Sequence, residues 1–141
     1  MQPRVGEGFV ELLESIASRF YPGLFAVIDE SVEELLGKSG LRAHLVVGHS
    51  PAMEPKDVAA VVMVSPAPLG PRALPQQWRE ILDSCRKKSI RVDLFVHKGD
   101  GARVQKLARE INPRTLVVSL PQDLRRLPTG RRIPDIGTTA W

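Results

Sequence analysis

The chain has 141 residues, of which 43% are hydrophobic and 26% charged, and this composition is typical of one globular domain. Its apolar runs are too short for a transmembrane helix, and the N-terminus lacks the apolar core of a signal peptide. The single cysteine, Cys85, excludes an intramolecular disulfide and a multi-cysteine zinc site, and we expect a cytoplasmic protein without a bound metal.

The charge of the chain changes sign along its length. The net charge of +4 is the balance of 20 basic and 16 acidic residues. Residues 1–60 have a net charge of −4, residues 61–141 have a net charge of +8, and 14 of the basic residues are arginine. Arginine binds phosphate through a bidentate fork, so this asymmetry favours a nucleic acid or another polyanion as partner. A thermostable surface rich in ion pairs is the alternative explanation.

Hydrophobic periodicity predicts helices and strands that alternate along the chain. A proline-rich loop over 66–75 separates the third strand from the helix that follows it. The predicted elements are a helix over 8–20, a strand over 24–28, a short helix over 31–36, strands over 41–48 and 58–64, a helix over 76–88, a strand over 90–97, a helix over 102–111 and a strand over 115–120.

This order predicts an α/β fold, a three-layer Rossmann-like sandwich with a mainly parallel five-stranded sheet. The strands at 24–28 or 90–97 are expected at the edges, and those at 58–64 and 115–120 in the interior. The link before residue 58 contains no helix, which leaves an antiparallel pairing or a longer crossing loop open. We expect one domain over 1–120 and an Arg/Pro-rich tail over 121–141.

Ligands of open α/β sheets bind beyond the carboxyl ends of the strands. If the strands are parallel, polar residues at these ends gather on one rim and form a candidate small-ligand or nucleotide site, where carboxylates accept protons and imidazoles act as acid, base or ligand. The candidate residues are Asp29, His49, Ser50, His97 and Asp100. The chain contains no spacing typical of a hydrolase or metalloprotease, so we assign no catalytic residue.

Basic residues cluster again near the C-terminus. Residues 103–132 contain eight basic and two acidic residues. An arginine-rich arm of this kind binds along a phosphate backbone in a salt-dependent way. The candidate nucleic-acid-binding residues are Arg103, Lys106, Arg125, Arg126, Arg131 and Arg132.

The helix–strand–helix–strand pattern over 76–120 includes Ile90-Arg91-Val92-Asp93-Leu94-Phe95-Val96, Gly99-Asp100-Gly101 and Thr115-Leu116-Val117-Val118-Ser119. It resembles the C-terminal half of universal stress proteins and, equally, the anticodon-binding domain of class II aminoacyl-tRNA synthetases. The first resemblance implies an ATP-binding or dimeric module, and the second implies contact with RNA. Residues 120–126 lack the glycines of the universal stress phosphate loop, so we expect no cofactor.

Three functions remain open from the sequence. The favoured one is a non-enzymatic module that binds RNA, DNA or an acidic protein through its arginine-rich C-terminal face and tail. The second is a small-ligand or nucleotide-binding domain, with or without hydrolytic activity, at the strand ends. The third is a subunit of an oligomer that assembles through the N-terminal helix and Trp141.

Overall fold

The computed structural model describes residues 7–69 and 74–120. Each predicted helix and strand is present, with ends that shift by up to three residues. The elements are α1 (Glu7–Phe20), β1 (Phe25–Ser31), α2 (Glu33–Leu36), β2 (Arg42–Gly48), β3 (Val58–Ser65), α3 (Gln76–Lys88), β4 (Val92–Val96), α4 (Gly101–Ile111) and β5 (Thr115–Ser119), with short 3₁₀ turns at Pro55–Asp57 and Lys98–Asp100.

The described strands form one mixed sheet in the order β1-β2-β3-β4-β5. The first two pairings are antiparallel, and the β3–β4 and β4–β5 pairings are parallel. The α/β class and the five strands are therefore confirmed, whereas the sheet is parallel only in its second half. β2 and β3 pair antiparallel because the connection between them, residues 49–57, is too short for a parallel crossover, which needs a dozen or more residues.

The prediction of edge and interior strands is correct at one end of the sheet and wrong at the other. β1 is an edge strand and β3 is interior, as expected, but β4 lies inside the sheet and β5 follows it as the last described strand. β4 tolerates its polar residue in the interior because Asp93 has buried partners. β5 is apolar on both faces because each face joins a separate hydrophobic cluster, through Val117 on one side and through Leu116 and Val118 on the other.

Helices pack on both faces of the sheet. Side chains of α2, α3 and α4, including Leu36, Ile81 and Val104, join the cluster on one face. The apolar stripe of α1, with Leu13 and Ile16 fully buried, joins the cluster on the opposite face. The fold is thus three-layered, and α3 and α4 are the crossover helices of its parallel half.

Candidate functional site

The five candidate ligand residues at the strand ends do not form one site. β2 runs antiparallel to β3, so His49 and Ser50, which follow it, lie at the opposite end of the sheet from His97 and Asp100. Asp29 lies in the edge strand β1, three strands from β4, or about 14 Å at roughly 4.8 Å per strand. The condition for a shared rim, a parallel sheet throughout, is not met.

Asp100 and His97 are engaged in hydrogen bonds around the turn that precedes α4. Asp100 Oδ2 accepts a hydrogen bond from the Leu69 amide at 2.8 Å, and Oδ1 lies 3.2 Å from the Arg103 guanidinium. These contacts, the Leu69 amide first, hold the pKa of Asp100 below its usual value. His97 Nδ1 accepts a hydrogen bond from the Gly99 amide at 3.2 Å. These side chains therefore fix the connection between β4 and α4 and the loop that follows β3.

The third histidine, His44, replaces part of the backbone ladder between β2 and β3. The described pairing of these strands ends at Leu45 and Val62, and beyond it the Val64 amide donates to His44 Nδ1 at 2.8 Å. The Phe9 ring packs edge-on against the imidazole, with ring centroids 5.1 Å apart. Burial lowers the pKa of His44, against a smaller opposite effect of Asp29. The neutral imidazole is thus the form that the fold requires.

A buried polar cluster joins the end of α1 to the interior strand β4. The Tyr21 hydroxyl donates to Asp93 Oδ2 at 2.5 Å, and Arg91 Nη2 donates to the same oxygen at 3.0 Å. Arg91 Nε lies 3.0 Å from Asp93 Oδ1 without hydrogen-bond alignment, so this contact is electrostatic. Burial raises the pKa of Asp93, and the Arg91 charge opposes that rise. Sequence reasoning missed the cluster, although the spacing of Arg91 and Asp93 puts them on one strand face.

The order of the strands turns the charge asymmetry of the sequence into a charge asymmetry of the molecule. Residues 7–69, which build β1 to β3, contain four basic and nine acidic residues. Residues 74–120, which build α3, β4, α4 and β5, contain ten basic and five acidic residues. Because neighbours in the chain are neighbours in the sheet, one side of the molecule is acidic and the other basic.

Most described arginine side chains are engaged within the fold, whereas several lysines are not. Six guanidinium groups have internal acceptors: Arg42 with Asp29, Arg79 with the Leu74 carbonyl, Arg86 with Asp83, Arg91 with Asp93, Arg103 with Asp100, and Arg109 with the Thr115 carbonyl. By contrast, some exposed cations form no ion pair or side-chain hydrogen bond within residues 7–69 and 74–120. They are Lys56, Lys88, Lys98, Lys106 and Arg114.

Three of these cations follow α4 from one end to the other, and we call Lys98, Lys106 and Arg114 the basic stripe. Lys98 lies in the turn before α4, Lys106 points outward from its middle, and Arg114 follows its end. Beside Lys106, the side chains of Gln105, Arg109 and Glu110 line a shallow depression. Of the predicted nucleic-acid-binding residues, Lys106 is thus available to a ligand, whereas Arg103 is bound to Asp100. Arg125, Arg126, Arg131 and Arg132 lie outside the described residues.

The described part of the chain contains no group of three or more His, Cys, Asp or Glu side chains that could hold a metal ion. None of its helices is long and apolar enough to cross a membrane. Comparisons of the chain with models of protein families, with curated proteins and with solved structures found no match. The resemblance of residues 76–120 to universal stress proteins and anticodon-binding domains therefore remains a prediction, and any function has to be argued from the surface of the molecule itself.

Proposed function

We propose that this protein is a non-enzymatic module that binds nucleic acid through its basic side. The surface consists of the basic stripe and of Lys88 at the end of the neighbouring helix α3. The arginine pairs at 125–126 and 131–132 add four cations from the adjoining part of the sequence.

The observation that carries the proposal is the set of exposed cations without partners on the basic side. An exposed cation that pairs with no carboxylate keeps its full charge for a ligand. A fold that used its basic residues only for stability would pair them, as it does with Arg86 and Arg103. Lys88, Lys98, Lys106 and Arg114 have no such pairing within the described residues. Neutralising phosphates is the function that such a set of charges fits best.

The same surface is poorly suited to an acidic protein partner. Protein interfaces depend on a few buried aromatic or aliphatic anchors in their centre. The exposed large hydrophobic side chain of the described residues is Phe25, at 50% exposure, and it lies on the edge strand β1. This strand belongs to the acidic side of the molecule, so the described part of the basic side offers charge without an apolar anchor.

A charge-reversal pair tests where the nucleic acid binds. Lys106→Glu changes the basic stripe, and Lys56→Glu changes another exposed and unpaired lysine, between β2 and β3. Both variants change the net charge by the same amount, so any difference between them reports position alone. We expect Lys106→Glu to weaken binding of a fluorescent 25-base-pair DNA duplex about tenfold at 50 mM salt, and Lys56→Glu to leave it nearly unchanged.

The measurement is fluorescence anisotropy with the full chain. Equal effects of the two substitutions would contradict a localised site, and no binding of either the duplex or one of its strands at 50 mM salt would refute the proposed function. Poly-L-glutamate of matched charge serves as competitor. If it displaces the duplex at equal charge concentration, the surface prefers acidic polypeptides, and the proposal is wrong about the class of partner.

A further inference from the structure

We infer that the basic stripe recognises the phosphate backbone of a double helix, and that it does not read unpaired bases. This inference rests on the proposed function and specifies its ligand. It follows from where the aromatic rings lie, from which cations are free, and from the anchored helix α4 that carries Lys106 between Lys98 and Arg114.

The first observation is that the described part of the basic side offers no exposed aromatic ring. Proteins that hold single strands stack successive bases on exposed aromatic side chains. Here the rings of Phe20, Tyr21, Trp78 and Phe95 are all at most 5% exposed. Phe25 is exposed, but it lies on the edge strand β1, at the far side of the sheet from α4.

The second observation concerns the chemistry of the free cations. A guanidinium group can stack on a base in place of an aromatic ring. On α4, however, Arg103 is held by Asp100 at 3.2 Å and Arg109 by the Thr115 carbonyl at 3.1 Å. Two of the three cations in the basic stripe are lysines, which act as point charges without a planar face. Such groups bind phosphate and supply little information about bases.

The third observation concerns α4, which carries Lys106 and has Lys98 and Arg114 in the turns at its two ends. α4 has 11 residues and therefore spans about 16 Å, which is close to five base-pair steps of a duplex at about 3.4 Å each. Val104 and Ala108 are fully buried and anchor the helix to the sheet. Lys98 and Arg114 lie in the turns at the two ends of this anchored helix, so the three charges follow one another along it. Charges at successive fixed positions suit the regular backbone of a double helix, whereas a flexible single strand gains less from a fixed spacing.

The salt dependence of binding gives the expected magnitudes. Each phosphate of B-form DNA that a cation neutralises contributes about 0.9 to the slope of log K against log salt concentration. Three contacts from the basic stripe therefore contribute a slope of about −2.7, which is about 40-fold in affinity between 50 and 200 mM salt. The arginine-rich residues 121–141 add their own contribution, so the difference between the full chain and a variant isolates the stripe.

The experiment compares the full chain with the Lys98→Ala, Lys106→Ala, Arg114→Ala triple variant. Anisotropy is measured with a labelled 20-base-pair duplex and with one of its strands at 50 and 200 mM salt, and Lys56→Ala serves as control. We expect the duplex to bind more tightly than the strand, and the triple variant to lose about 2.7 from the duplex slope. We also expect A·T-rich and G·C-rich duplexes to bind within about twofold of each other. Circular dichroism checks that the variant is folded.

The possible results separate the inference from the proposed function. Single-strand binding as tight as duplex binding would overturn the inference and leave nucleic-acid binding intact. An unchanged duplex slope in the folded triple variant would also overturn the inference, because it would assign binding to other residues. Absence of binding to either nucleic acid would refute the proposed function, and this inference with it.

Discussion

Tyr21→Phe is a sharp test of the buried cluster that joins α1 to β4. The change removes one hydroxyl and keeps the ring, which packs at 66° to Phe95 with centroids 6.5 Å apart. The hydroxyl donates to Asp93, which has no exposed surface, so water cannot replace the lost donor. A hydrogen bond to a charged group contributes about 1.5–3 kcal/mol, and we expect a loss of about 2 kcal/mol in the free energy of unfolding. For a chain of this length the melting temperature falls by about 6 °C.

The assay is urea unfolding monitored by circular dichroism, and the same substitution is repeated in an Asp93→Asn background. We expect the cost of Tyr21→Phe to drop to about 1 kcal/mol there, because a hydrogen bond to a neutral acceptor contributes about half as much. Burial, followed by the charge of Asp93, raises the pKa of Tyr21 well above 10, so the hydroxyl stays a donor throughout the neutral range. A cost below about 0.5 kcal/mol, or an equal cost in both backgrounds, would refute the reasoning.

Three further substitutions test the local structure around the strands, each by urea unfolding. Gly48→Ala puts a Cβ 2.6 Å from the Asp57 carbonyl oxygen, so we expect a loss of about 1–3 kcal/mol, and a neutral effect would contradict this close approach. Asp100→Ala removes the acceptor of the Leu69 amide, and we expect a loss of about 1 kcal/mol at pH 7 that disappears as the pH falls below about 3.9 through the lowered pKa of Asp100. Burial lowers the pKa of His44, so the unfolded chain takes up a proton at higher pH than the folded one, and the wild type is expected to lose stability as the pH falls below about 6.5. We expect His44→Gln to reduce the dependence of the free energy of unfolding on pH in this range. An unchanged dependence would contradict the structural role of the neutral imidazole.

The positions of the helices and strands could be predicted because they depend on local periodicity. The helix α3, predicted over 76–88, has these bounds in the structure, and the other long elements differ only at their ends. The order of the strands in the sheet was harder to predict, because it depends on which side chains find partners across the sheet. Asp93 reads as an exposed residue of an edge strand until Tyr21, 72 residues away in the chain, is placed beside it. A contact of that range leaves no trace in local periodicity.

The excess of basic residues in one half of the molecule could be predicted from the sequence, but the set of unpaired cations on it could not. The charge asymmetry places the basic side in the C-terminal half of the chain, and the sequential sheet keeps it there. Which cations remain free, however, depends on acceptors brought close by folding. Arg109, for example, is not free, because its Nε atom donates to the Thr115 carbonyl at 3.1 Å. The count of 14 arginines therefore overstates the arginine available to a ligand on the described surface.

Arginine and lysine differ in hydrogen-bond geometry and in hydration, and both differences bear on which cations are engaged within the fold. The arginine fork holds several acceptors in one plane and is only weakly hydrated, so it suits fixed positions such as the pair with Asp93. The lysine ammonium group is strongly hydrated and stays in solvent unless a partner offsets that hydration. Arg91 and Arg103 bind the carboxylates of Asp93 and Asp100, whereas Lys98 and Lys106 stay exposed without such a partner among the described residues. We expect Lys106→Arg to preserve binding to the duplex in the anisotropy assay, because a phosphate accepts either cation. We expect Arg91→Lys to destabilise the fold in urea unfolding, because lysine cannot reproduce the fork that holds Asp93.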